Sequence, residues 1–158
     1  MSNENNVKRA RDIIESNNFM SLATCTSSGN PWATPLFYAY DDKYNLYFVS
    51  SKNSLHVNHI MDNPTVAVTI FNSTQPAGST EGVQLLGQAE WVKDEEELGR
   101  AIDLYYRRLL PEVRGAMTDR YPTATYLPPS RFRFFKISIR RAYIPDVRGR
   151  VEIKLGRR

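Results

Sequence analysis

Eight consecutive residues, Val49-Ser50-Ser51-Lys52-Asn53-Ser54-Leu55-His56, place hydroxyls, an amide, an ammonium and an imidazole side by side. The stretch before them, Tyr44 to Ser50, alternates like a strand, and Leu55, Val57 and Ile60 after them have partly helical spacing. A strand is therefore expected to end where a short helix begins. The free N–H groups at a helix start, together with its dipole, make an anion site. Ser50, Ser51 and Ser54 can donate hydrogen bonds to an anion, and Lys52 or protonated His56 can supply charge. The competing reading is a polar turn in which a Ser or Asn merely caps the helix. The residues alone leave both readings open.

A second unusual stretch runs from Trp32 to Tyr40, rich in aromatic and large apolar groups, with Thr34 and Pro35 near its middle. Proline inside a strand removes a ladder donor, so Pro35 is expected at an edge or beside a bulge. An irregular strand of this kind leaves backbone N–H and C=O groups free for the rim of a heteroaromatic ring. A flavin needs a phosphate cradle, backbone hydrogen bonds to the ring rim and apolar packing on its faces. The plain alternative is a barrel wall made of ordinary core residues.

Other chemistries find less support. His56 and His59 lie three apart, but no third His, Cys or carboxylate stands at an obvious ligand spacing, so no metal site is assigned. There is no Walker loop, GxGxxG or GxSxG. Cys25 sits in an apolar strand and reads as a core residue. The carboxylates fall mostly in turns and at the start of a helix opened by Asp94, where they favour the dipole rather than acid–base work. No catalytic residue is assigned.

The elements that must position these residues can be read from periodicity. Glu4 to Asn17 is amphipathic, with Val7, Ala10, Ile13 and Ile14 on one stripe. Phe19–Thr26, Pro31–Tyr40 and Tyr44–Ser50 read as three strands joined by short polar turns, an antiparallel meander. A short helix over Asn53–Met61 ends at Asn63-Pro64, and Thr65–Phe71 is a β-branched strand. Gly82–Val92 is a longer strand that Gly87 should bulge or bend. Asp94 with Glu97 forms a capping-box pair ahead of a helix whose face carries Leu98, Ile102, Tyr105 and Leu109. Phe132–Ile144 is the closing strand, and Val151–Leu155 can add a short one. Six antiparallel strands with helices in two gaps suit a closed or nearly closed barrel, and a βαβ architecture is disfavoured.

The chain has 158 residues, one cysteine and no apolar run of membrane-spanning length. A single domain over 1–158 and a cytoplasmic location are expected. The net charge of +4 conceals a division: ten bases against two acids from Arg131 onward, and eleven against fifteen before it. Such a tail can meet an anionic surface or nucleic acid, but no helix-turn-helix or zinc pattern supports the latter.

Taken together, these segments resemble the FMN-binding split-barrel superfamily, the pyridoxamine 5'-phosphate oxidase-like proteins. The likeness runs from about Ile13 to Gly149 and is strongest from Leu46 to Ile70. Val49-Ser50 matches a strand-ending step, Ser54-Leu55-His56 a Ser-Arg-Lys group that closes on the FMN phosphate, and Asn63-Pro64 an Asn-Pro before the next strand. Thr34 to Ala39 matches the ring-contacting strand, and Gln84 stands near a later glutamine. The two basic residues of the phosphate group are here Leu55 and His56, and the leading arginine of the ring strand is Thr34. The basic C-terminal signatures of true pyridoxamine-phosphate oxidases are missing, which points to a smaller branch of the family.

The resemblance implies a mainly β, six-stranded antiparallel split β-barrel. It also implies a homodimer with FMN at its interface, reducing a small organic molecule with NAD(P)H. The implied FMN contacts are Thr34, Pro35, Leu36, Phe37, Val49, Ser50, Ser51, Lys52, Ser54, His56 and Gln84, with Arg148 reaching in from the partner chain. Two alternatives remain. The same fold can hold deazaflavin F420 or haem, with His56 or His59 as a natural haem ligand. The chain can also be a non-catalytic binding or regulatory module that uses its basic tail.

Overall fold

A computed structural model describes residues 3–79, 81–112, 115–146 and 149–157. The chain opens with helix α1 (Asn3–Ser16), followed by β1 (Phe19–Cys25), β2 (Pro31–Phe37), β3 (Ala39–Tyr40) and β4 (Leu46–Ser51). Helix α2 (Leu55–Asp62) leads into β5 (Thr65–Phe71) and β6 (Gly82–Trp91). Helix α3 (Glu95–Leu109), the single turn α4 (Met117–Arg120) and a 3-10 turn (Thr123–Tyr126) precede β7 (Phe132–Asp146) and β8 (Gly149–Ile153). All strands join one antiparallel sheet in the order β2-β1-β5-β6-β7-β4-β3, and β8 pairs with β7 beyond β4. This is the expected mainly β, curled split-barrel architecture with flanking helices.

Among the described residues the strand count is eight rather than six, for two local reasons. The expected strand Pro31–Tyr40 breaks at Tyr38: the residues before it pair with β1 and those after it pair with β4. Tyr38 is fully buried, its hydroxyl donates to the Ile14 carbonyl at 2.6 Å and its N–H donates to the Asn18 carbonyl. Those tertiary bonds end the ladder at that residue. The tail supplies the other extra strand, β8. The three-strand meander is thereby corrected: β2 and β4 are not neighbours but lie toward opposite ends of the strand order, and the sheet curls so that one residue links its two terminal strands.

Inward-facing residues alternate along each strand, as a half-buried sheet requires. Leu22, Phe48, Ile70, Leu85, Phe135 and Ile137 belong to the barrel interior, where Phe48 and Phe135 stack with centroids 5.3 Å apart. A second cluster lies under α3, built from Tyr47, Leu98, Ile102, Tyr105 and Phe134. Asp94 caps α3 by accepting from the Glu97 N–H at 2.8 Å, as its spacing predicts. Leu109, expected on the packed face, is instead exposed in the last turn of α3, and Leu55 is exposed at the start of α2. The register shift in β6 falls between Leu86 and Gly87, where a side chain would collide with the Ser138 carbonyl. Among the described residues no helix is long and apolar enough to cross a membrane.

Candidate functional site

Strand pairing brings the polar residues together at one end of the barrel. β4 ends, β1 ends, β2 begins and β7 begins at the same rim, because each antiparallel partner reverses direction. On β1, β4 and β7 the inward position nearest this rim is polar and the one deeper in is apolar, whereas on β2 the half-exposed Trp32 stands nearest the rim and Thr34 lies one step deeper, opposite Leu22. Thr24 follows Leu22 on β1, Ser50 follows Phe48 on β4, Thr34 precedes Leu36 on β2, and Arg133 precedes Phe135 on β7. Helix α2 lies across this end, packed against β1, β2 and β6.

Two buried histidines of α2 meet these hydroxyls. His56 is 7% exposed, with Nε2 2.7 Å from Ser50 Oγ and 3.2 Å from Ser54 Oγ, while Nδ1 lies 3.5 Å from Thr34 Oγ1. His59 is 6% exposed and its Nδ1 lies 3.3 Å from Thr24 Oγ1. Burial, reinforced by nearby His59, holds the His56 imidazole below its ordinary pKa. It is therefore neutral at pH 7 and sits in a hydroxyl network rather than in a metal set. Among the described residues no three His, Cys, Asp or Glu side chains converge on a point.

The turn between β4 and α2 is tied to β7. The Lys52 N–H donates to the Arg131 carbonyl at 2.9 Å, and Arg131 Nε donates to Ser51 Oγ at 3.1 Å. The Lys52 side chain is exposed, and Ser54 Oγ donates to the Ser51 carbonyl at 2.8 Å. Ser54 is the N-cap residue of α2 by position, yet its side chain makes no capping bond.

The expected ring strand divides between two faces. Thr34 and Leu36 turn inward, opposite Leu22 and Met20. Pro35 and Phe37 turn outward, opposite Ser21 and Phe19, and Phe37 makes edge contacts with Phe19 and Tyr105. Among the described residues β2 pairs with β1 alone, so its other edge carries no strand, and Pro35 occupies the edge strand its missing N–H requires. Val49 faces the cluster under α3, away from Ser50. Gln84 lies on the outer face in the row Pro35–Ser21–Thr69–Gln84, three strands and about 14 Å from Pro35 along the sheet. It borders a hollow of about 320 Å³ with Thr69, Phe71 and Pro145. The sequence-predicted residues thus form one compact group, Thr34, Ser50, Ser54 and His56, with Ser51 and Lys52 on its rim and Gln84 apart from it. Arg148 lies outside the described residues. Sequence reading missed Thr24, His59 as a hydroxyl partner, Arg131 and Arg133. On the last long strand Arg133 shares the parity of the apolar Phe135 and Ile137, and that is the signal that points to it as inward-facing.

The family model described as pyridoxamine 5'-phosphate oxidase matches residues 7–144. A UPF0306 protein of Pasteurella multocida is 33% identical over 97 residues, an alignment that covers 60% of this chain and 64% of that protein. The chain thus spans somewhat less than two thirds of that curated relative. Among solved structures, a candidate 5-nitroimidazole antibiotic resistance protein of Bacteroides thetaiotaomicron superimposes with a TM-score of 0.66 at 17% identity. That match covers 85% of this chain and 80% of the other. The haem storage protein of Vibrio cholerae superimposes with a TM-score of 0.64 at 12% identity, covering 85% of this chain and 90% of its own. At these identities the structures establish a shared fold.

Proposed function

The chain belongs to the pyridoxamine 5'-phosphate oxidase family, and from that premise we propose that it is an FMN-binding homodimer serving redox chemistry on a small organic substrate. The observation that carries this reading is the polar end of the barrel: three hydroxyls on one buried imidazole, bordered by cationic side chains. Hydroxyl donors, an imidazole and nearby guanidinium groups are the donor set a phosphomonoester asks for. Ser50, Ser54, Thr34 and His56 would hold the phosphate, with Ser51 and Lys52 at its rim. The free edge of β2 would offer backbone groups to the ring rim along Thr34, Pro35, Leu36 and Phe37, and Val49 would back the phosphate-bearing strand from behind. Gln84 would meet a ligand or partner lying across the outer face.

That outer face supports the dimer. Phe19 at 63% exposure, Phe71 and Leu86 stand on it, among the small residues Ala23, Ala33 and Ala67. An exposed apolar patch of this kind favours a self-complementary, two-fold interface. Bound at the site, FMN would supply hydride or electron transfer. The chain's own residues orient it, neutralise its phosphate and keep water from its apolar face.

Absorbance of the freshly purified protein, followed by denaturation and identification of the released chromophore, tests the reading. Flavin bands near ~450 nm with FMN released support it. A colourless protein that also fails to take up micromolar FMN overturns it. Haem is the second reading, favoured by the shared fold of the Vibrio protein. Against it, both ring nitrogens of His56 lie within hydrogen-bonding distance of hydroxyls, so ligation there must first break that network. A Soret band, or the single band of a deazaflavin such as F420, would keep the fold and replace the chemistry.

A further inference from the structure

A phosphate bound at Ser50, Ser54 and His56 lacks a fixed counter-charge among those residues. His56 is neutral at pH 7, and Lys52 is a solvated side chain on an exposed turn. Arg133 is the buried cation nearest in the fold. It is 5% exposed, and no carboxylate among the described residues lies within ion-pair distance. A guanidinium keeps its charge at any accessible pH, so proton loss cannot relieve its burial. Its Nη1 donates to the Ser130 and Phe132 carbonyls, and its guanidinium carbon stands 5.1 Å from the centre of the Trp91 ring. Nε and Nη2 have no hydrogen-bond partner among the described residues.

Register sets where these free donors can act. Arg133 is the direct cross-strand partner of Ser50, and both side chains take the inward face. Directly opposed residues have Cβ atoms about 5 Å apart. The Ser51–Arg131 and Lys52–Arg131 bonds fasten the β4–α2 turn to the same end of β7. An anion resting on Ser50 and His56 is thus within the reach of an arginine rooted opposite Ser50.

We propose that Arg133 supplies the fixed positive charge of this anion site, its free donors binding the phosphate of a phosphomonoester, while Arg131 holds the turn that shapes the site. The proposal rests on the phosphate-site reading above and adds a cation from the last long strand, in place of the basic pair that Leu55 and His56 displace.

The test compares FMN and riboflavin binding to the wild-type chain, Arg133→Met and Arg133→Lys. A charge-assisted contact of this kind predicts that Arg133→Met lowers FMN affinity about 10- to 100-fold and leaves riboflavin affinity within about twofold. Arg133→Lys is expected to fall between. Equal FMN binding by wild type and Arg133→Met overturns the proposal and leaves the flavin reading standing. If the wild type binds neither flavin, the flavin reading fails, and inorganic phosphate titrated under phosphorus NMR decides. Phosphate bound by the wild type and lost in Arg133→Met supports the proposal, and no binding overturns it.

A second measurement does not depend on the Arg133 variants folding. The chain has two tryptophans, and the Trp91 ring is faced by Lys93 Nζ at 4.9 Å as well as by Arg133, so in Trp32→Phe with Lys93→Gln the indole of Trp91 reports on Arg133 without the second cation. Millimolar inorganic phosphate is expected to shift its emission, with sodium chloride at matched ionic strength as control. An emission unchanged by phosphate overturns the proposal.

Discussion

The middle of the barrel and its α2 end are built on the same strands by opposite rules. In the middle, Leu22, Phe48, Ile137 and Phe135 fill the space without a polar atom. One step toward the rim, the inward positions on β1, β4 and β7 become Thr24, Ser50 and Arg133, Thr34 joins them from its place opposite Leu22, and α2 brings His56 and His59 onto the hydroxyls. An apolar end would have been the simpler way to close the barrel, since buried hydroxyls and imidazoles gain little net stability from bonding to each other. A fold departs from consistent core chemistry mainly where function requires it. The middle holds the barrel together, and the α2 end is the part available for binding.

The sharpest way to break this comparison is to damage the middle. Phe135→Ala removes a fully buried ring stacked on Phe48 and is expected to cost about 3–5 kcal/mol, read by urea unfolding. A loss below about 1 kcal/mol would mean that the middle does not carry the fold. A smaller effect is expected where two strands approach most closely. Gly87→Ala places a Cβ 2.7 Å from the Ser138 carbonyl and 2.9 Å from Ile137 Cγ2, so the strands must part, at about 1–3 kcal/mol. Thermal melting of that variant against wild type checks it.

The α2 end should answer differently. Replacing both members of a hydrogen-bonded pair with apolar groups can be nearly neutral or stabilising, because no orphaned partner remains. Thr24→Val with His59→Leu is expected to change stability by less than about 1 kcal/mol, far less than the single change at Phe135. Ser50→Ala and Thr34→Val with His56→Leu, which leaves Ser54 Oγ its bond to the Ser51 carbonyl, should hold stability to a similar margin while FMN uptake falls at least about tenfold. If that set of changes instead unfolds the protein, the α2 end is structural and the distinction between the two regions fails.

The same division explains what the sequence made legible. Features fixed by neighbours along the chain were readable: the Asp94–Glu97 cap, the Gly87 irregularity, the β-branched run of β5 and the edge position of Pro35. The polar group Ser50, Ser54 and His56 was readable because it falls within seven residues. Features fixed by pairing were not. The break at Tyr38 depends on a hydroxyl donating to a carbonyl of α1, and no local pattern encodes that bond. Thr34, expected as a ring contact, faces the His56 imidazole, and Gln84 lies about three strands away on the outer face, neither of which the chain order encodes. Arg133 sits far along the chain from Ser50, and only the β4–β7 register makes them opposite.

The smallest expected effect is the pH dependence of the α2 end. Burial and the neighbouring His59 depress the His56 pKa below its ordinary value of 6.5, so the folded chain binds a proton there less readily than the unfolded chain. Stability linked to this group is fully present above about 6.5, where both states hold it neutral. As pH falls through 6.5 toward the lower folded value, the unfolded state gains its proton first and the folded state loses ground. His56→Gln keeps a hydrogen-bonding side chain without the titration, so its melting temperature should fall less than that of wild type between pH 7.5 and 5.5. FMN added in excess should reverse part of the wild-type loss, because a phosphate dianion beside the imidazole favours its charged form. Parallel pH profiles for wild type and His56→Gln would place the ring in a solvated setting, and the contrast between a dry middle and a buried polar end would then lose its clearest titrating marker.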